Sequence, residues 1–205
     1  MSDKDLREIY VPDVYQKDIY AIDYLQLQQA GIRFISFDID DTIAKMEEYK
    51  PPVNTIILFE RLKQAGFRLA LLTNNVHESR AKRFSQKLGV DYIAHAHKPQ
   101  SVSFEEFQQR YFQKYHKKLA KSQMAHVGNN LIKDVGSANV YGITSCLVRR
   151  SGTLAKPFHV NDECHKLRKV LKSRGIWRKH HLYSRHDQYY QLRDTPGSQN
   201  FFKIT

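Results

Sequence analysis

Strand-like and helix-like segments alternate five times between residues 32 and 148, and the connections between them are short. Ile32–Phe37 reads as a strand. Pro51 and Pro52 open a helix that runs through Ala65, with Leu58 and Leu62 at helical spacing and Gly66 as its stop. Phe67–Leu72 is a second strand, and a helix from about Val76 carries Ala81, Phe84 and Leu88 on one face before Gly89. Asp91–Ala94 is a third strand. Ser103 and Glu106 have the spacing of a capping box ahead of a helix that reaches towards Lys118. Phe104, Phe107, Tyr111 and Tyr115 form one stripe of that helix, a pattern that predicts core. Met124–Val127 and Ile143–Val148 are the last two strands, with a helix to about Tyr141 between them. Such alternation predicts a parallel sheet with helices on both faces.

In sheets of this kind ligands gather beyond the carboxyl ends of the strands. The residues at those positions are polar in each of the first four cases. Asp38-Ile39-Asp40-Asp41-Thr42 follows the first strand, and Thr73-Asn74-Asn75 follows the second. Lys98-Pro99 comes soon after the third. Gly128-Asn129-Asn130 follows the fourth, with Asp134 on the next helix.

Two carboxylates as close as Asp38 and Asp40 repel unless a cation lies between them, and hard oxygen donors suit Mg²⁺. Thr73 and the amides around Asn74 precede a helix and form a phosphate cradle. Lys98 adds positive charge. A carboxylate, a hydroxyl, a lysine and a divalent cation around one phosphate describe phosphoryl transfer, in which an aspartate can itself be the nucleophile.

The ordered set resembles the four motifs of the haloacid dehalogenase (HAD) superfamily of phosphatases. Phe37–Ile43 resembles the first motif, Leu71–Asn75 the second, Lys98-Pro99 the third, and Val127-Gly128-Asn129 with Asp134 the fourth. The fold class implied is α/β, a three-layer Rossmann-like (HAD-like) parallel sheet without a cap domain. By the resemblance Asp38 is nucleophile and metal ligand. Asp40 is general acid and base, with its carbonyl on the metal. Thr73 holds phosphate oxygens and Lys98 neutralises charge. Thr42 and Asn74 assist at the substrate loop, and Asp134 supports Lys98 from behind. The implied cofactor is Mg²⁺, bound by Asp38, Asp40 and Asn129. The fourth motif usually carries Asp where this chain has Asn129, so a catalytically weak or inactive module that binds phosphorylated ligand or nucleic acid is the alternative reading.

Asp38 to Thr73 is 35 positions and Thr73 to Lys98 is 25, each filled by one helix and one strand. Neither gap can hold a cap, so an open site and a bulky phosphorylated substrate are expected. Within the superfamily the chain is most similar to the capless class III branch related to phosphatidylglycerophosphate phosphatases. Asp18–Ile22, Leu25 and Gly31-Ile32 share in that likeness.

Three units are therefore expected: an N-terminal extension (1–30), a phosphatase core (31–148) and a basic C-terminal segment (149–205). The last holds 13 Lys/Arg against 4 Asp/Glu, so it carries nine of the chain's twelve net positive charges. Leu167–Lys172, with Trp177 beyond it, has the basic amphipathic spacing that suits an anionic membrane surface, and nucleic acid is a weaker candidate partner. No stretch reaches the ~18 apolar residues of a spanning helix, and the polar start Met-Ser-Asp-Lys-Asp has no leader character. The expected location is the cytoplasm, with peripheral contact at the inner face of the membrane. His95, His97 and His126 lie near the motifs and receive no role.

Overall fold

A computed structural model describes residues 12–16 and 18–148. The basic segment, its amphipathic stretch and its membrane contact lie outside the described residues. Six strands form one parallel sheet: β1 (Val14–Gln16), β2 (Phe34–Phe37), β3 (Arg68–Leu72), β4 (Asp91–Ile93), β5 (Met124–Gly128) and β6 (Thr144–Val148). Their order is β1-β6-β5-β2-β3-β4. The helices are α1 (Tyr24–Gln29), α2 (Val53–Gln64), α3 (Glu78–Leu88), α4 (Val102–Tyr115) and α5 (Gly136–Tyr141).

Strands covered on both faces are apolar at consecutive positions, because alternate side chains enter different cores. Ile35 and Phe37 of β2 and Leu69 and Leu71 of β3 bury against Leu58, Phe59 and Leu62 of α2 and Ala81, Phe84 and Leu88 of α3. Phe34, Ala70 and Leu72, from the same strands, bury on the opposite side with Phe104 and Phe107 of α4 and Ala138 and Tyr141 of α5. The aromatic stripe of α4 is therefore core at Phe104 and Phe107, with Tyr111 half-buried against it.

The structure differs from the sequence reading at two elements. Residues 14–16 and 18–30 pack against the core rather than preceding it. Val14 and Gln16 of β1 lie opposite Cys146 and Val148 of β6, and Ile19, Ile22, Tyr24 and Leu27 bury in the same cluster as β2. Asp13 docks this edge, accepting from the Ser145 amide at 2.8 Å and donating its own amide to the Ser145 carbonyl at 3.0 Å. Three residues are too few to display a strand period. The second difference is at α4, which begins at Val102 rather than after a Ser103 cap. Ser103 is the second residue of the helix rather than its cap, and its buried hydroxyl donates to the Ala96 carbonyl at 2.8 Å.

The neighbours β2 and β5 straddle the point where the strand order reverses. From β2 the chain crosses to β3 on one side, and from β5 it crosses to β6 on the other. A crevice therefore opens above their carboxyl ends. Only a loop and α2 separate β2 from β3, and only α3 and its flanking turns separate β3 from β4, so nothing in either connection roofs the crevice.

Candidate active site

Asp38 is the first residue past β2, with its amide bonded to the Val127 carbonyl of β5 at 2.9 Å. Its carboxylate is buried. Oδ1 lies 2.8 Å from Lys98 Nζ, and Oδ2 accepts from the Thr42 hydroxyl at 3.1 Å. Lys98 Nζ also donates to Asp134 Oδ1 at 2.5 Å and to the Leu72 carbonyl at 3.0 Å. The three protons of the ammonium thus meet three acceptors, and the side chain is only 2% exposed.

Asp134 is as deeply placed. It follows β5 by one turn, in a π-helical stretch over Leu131–Val135 capped by the Asn130 side chain, which accepts from the Ile132 and Lys133 amides. Besides Lys98, Asp134 accepts from His126 Nε2 at 3.2 Å and from the Asn130 amide at 2.8 Å. Gly128 makes this approach possible: a Cβ there would fall 2.2 Å from Asp134 Cγ. The other His126 nitrogen, Nδ1, is 2.9 Å from the Ser36 hydroxyl.

One lysine is therefore shared by two buried carboxylates. Burial pushes Asp38 up to about 6; Lys98 pulls against this and the Asp134 charge adds to it. Burial also opposes ionisation of Asp134, yet Lys98 and His126 hold it well below the usual carboxylate range. Burial disfavours the Lys98 ammonium, but its two carboxylates outweigh that and raise it. Burial keeps His126 below the usual imidazole range, so its neutral ring donates from Nε2 to Asp134 and accepts from Ser36 at Nδ1.

Asp40 faces a different partner. Its Oδ1 is ion-paired to Arg80 Nη1, and its Oδ2 accepts from Asn75 Nδ2 at 3.1 Å. Thr73, just past β3, is buried, and its hydroxyl accepts from the Asn75 amide at 3.0 Å. The Asn74 side chain brackets the Lys98 backbone. Its Nδ2 donates to the Lys98 carbonyl and its Oδ1 accepts from the Lys98 amide, both at 2.8 Å. Its side chain positions the lysine. Asn129 is half-buried directly past β5.

The sequence reading passed over Arg80, Asn75 and His126. A signal for Arg80 does exist: it leads the 80, 84, 88 stripe of α3, an arginine in register with the apolar face. Among the described residues no group of three or more His, Cys, Asp or Glu side chains could hold a metal ion. A cation here would rest on the Asp38 carboxylate, the Asp40 carbonyl and the Asn129 amide oxygen. All are hard oxygen donors of the kind Mg²⁺ takes, so the residues fit the group.

The sequence matches the family described as mitochondrial PGP phosphatase over residues 5–152. The chain belongs to that family. It is accordingly a phosphatase of the HAD superfamily, a phosphoric monoester hydrolase. The chain is 28% identical over 143 residues to a Bacillus subtilis (strain 168) protein named "Probable phosphatase YqeG", covering 70% of this chain and 79% of that one. It is 25% identical over 166 residues to phosphatidylglycerophosphate phosphatase 1, chloroplastic/mitochondrial, of Arabidopsis thaliana, covering 76% of this chain but only 45% of the relative. Among solved structures, a HAD phosphatase from Thermococcus onnurineus aligns with a TM-score of 0.47 at 16% identity, over 68% of this chain and 98% of that one. No helix among the described residues is long and apolar enough to cross a membrane.

Proposed function

We propose that this family member is a Mg²⁺-dependent phosphomonoesterase that works through a phospho-Asp38 intermediate. The observation that carries the reading is the buried carboxylate of Asp38, oriented from both sides by Thr42 and Lys98. An Asp38 oxygen attacks phosphorus, and the bond to the leaving oxygen breaks as Asp40 gives that oxygen a proton. Water then attacks the phosphorus and yields its proton to Asp40. The bond from phosphorus to Asp38 breaks, which regenerates both carboxyl groups and releases inorganic phosphate. Lys98 offsets charge on Asp38 and on the transferring group, and Thr73 and Thr42 hold oxygens in place. Asp134 keeps Lys98 aimed. Asp38, Asp40 and Asn129 would hold the cation, which would supply Lewis-acid stabilisation of phosphate charge.

The substrate class proposed is a bulky phosphate carrier, with phosphatidylglycerophosphate or another phospholipid first. The open crevice and the name of the plant relative support this choice, and docking of residues 149–205 on an anionic membrane goes with it. The discriminating experiment is phosphate release from p-nitrophenyl phosphate and from phosphatidylglycerophosphate in mixed micelles, with and without Mg²⁺. We expect EDTA and Asp38→Asn each to abolish turnover. Retained turnover in Asp38→Asn refutes the covalent route.

A further inference from the structure

We propose that Arg80 is a positioning residue for Asp40, and through it decides how well this uncapped site expels poor leaving groups. The inference rests on the reading of Asp40 as general acid and base.

Asp40 stands on the loop that leaves β2, with a side chain one-fifth exposed. Arg80 holds one of its two oxygens. Its Nη1 holds Asp40 Oδ1, its Nε donates to the Glu48 carbonyl at 2.9 Å, and its Nη2 donates to the Lys45 carbonyl at 2.9 Å. The guanidinium lies 4.8 Å from the centre of the Phe84 ring and is 7% exposed. Each nitrogen of the planar group therefore makes one hydrogen bond, and its place is set by α3 on one side and the 45–48 loop on the other. Asn75 fixes the second oxygen of Asp40, and is itself held by the His77 amide on its Oδ1 at 2.8 Å.

The geometry requires a fork. An ammonium at position 80 is a point charge on a flexible stem and cannot keep the Asp40, Lys45 and Glu48 contacts in one plane. Arg80 does not border Lys98 or Asp134, whose partners are all accounted for above. Its contact is with the Asp40 carboxylate, so its effect on chemistry passes through the proton that this group gives to the leaving oxygen and later takes from water. Proton delivery matters most where the leaving oxygen is basic, as in an alkyl phosphate. It matters least for a nitrophenolate.

The test compares Arg80→Lys, Arg80→Gln, Asp40→Asn and the double variant Asp40→Asn/Arg80→Gln on two substrates of similar size, benzyl phosphate and p-nitrophenyl phosphate. Thermal melts accompany each variant. Both Arg80 variants should lose about 10²-fold in kcat/KM on benzyl phosphate and less than about 10-fold on p-nitrophenyl phosphate, because kcat/KM reports the step in which the leaving oxygen takes its proton. In the Asp40→Asn background, Arg80→Gln should cost no further activity on p-nitrophenyl phosphate. Equal losses on the two substrates, or a loss undiminished in that background, overturn the proposal and leave Arg80 a structural clamp. Undiminished benzyl phosphate turnover in Asp40→Asn instead refutes the acid and base reading beneath it.

Discussion

Asp134 accepts three hydrogen bonds at a place water does not reach, so its removal is the most informative single perturbation of the site. In Asp134→Ala the buried Lys98 keeps Asp38 and the Leu72 carbonyl but loses its closest partner. His126 Nε2 and the Asn130 amide lose their acceptor as well. Breaking a buried ion pair typically costs about 3–5 kcal/mol, and the carboxylate that Lys98 retains places this case near the lower end, ~3 kcal/mol. That is a large share of a usual domain stability of about 5–15 kcal/mol, yet not all of it, so the variant should fold. Asp134→Asn is the sharper comparison. Lys98 and His126 both use Oδ1, while the Asn130 amide uses Oδ2. An amide side chain has one oxygen, so whichever way it turns, at least one donor faces an NH₂ group. The expected cost is ~2 kcal/mol, the scale of an unsatisfied buried donor. Urea unfolding followed by circular dichroism should give the order wild type, Asp134→Asn, Asp134→Ala in falling midpoint at constant slope. Both variants should also lose kcat, since Lys98 is no longer aimed. An Asp134→Ala midpoint within ~0.5 kcal/mol of wild type, the range of a neutral surface change, refutes the shared-lysine account.

Gly128→Ala places a Cβ 2.2 Å from Asp134 Cγ; it should destabilise by ~3 kcal/mol, the upper range of overpacking, and a wild-type urea midpoint would put Asp134 elsewhere. Burial lifts Asp38 from 3.8 to about 6 in the folded protein. The folded state then binds a proton that the unfolded state has released, so this group's contribution to stability declines as pH rises through that window, by ~3 kcal/mol in all. His126, held neutral on folding, works in the opposite direction over part of the same range. The assay is therefore the difference in urea midpoint between metal-free wild type and Asp38→Asn from pH 4 to 7, and a flat difference refutes the raised value. Cys146 is buried and its thiol is pushed well above the usual range; in a Cys164→Ser background a thiol reagent should modify the protein only as it unfolds, and rapid labelling of the native protein would contradict the packing of β6.

Much of this molecule could be read before any coordinates. Period-two burial into two cores makes β3 a continuous apolar run after Arg68 and leaves β2 and β5 apolar at most positions, with Ser36 and His126 as buried exceptions, and a parallel sheet sends whatever follows each strand to one edge. Asp38, Thr73, Lys98 and Asn129 are legible for that reason: their chemistry sits at positions the topology alone makes special. The same local logic fails where partners are distant in sequence. Nothing in Val14–Gln16 announces a strand, because its identity depends on pairing with residues 146–148. Ser103 has a capping spacing, but its hydroxyl is claimed by the Ala96 carbonyl across a turn. The backbone around Asn74 reads as a phosphate cradle, and only the approach of the Lys98 loop shows that the Asn74 side chain holds that loop. Arg80 is 40 residues from Asp40 and 32 from Glu48, and a guanidinium in a helix pattern reads as solvated until three acceptors close around it. The sequence by itself determined the layers, the edge and the types of group delivered there, because those follow from periodicity and strand direction. Which carboxylates share Lys98, which one is clamped by Arg80, and which loop the Asn74 side chain holds were decided only by tertiary structure, because hydrogen bonds act over about 3 Å and ignore separation along the chain.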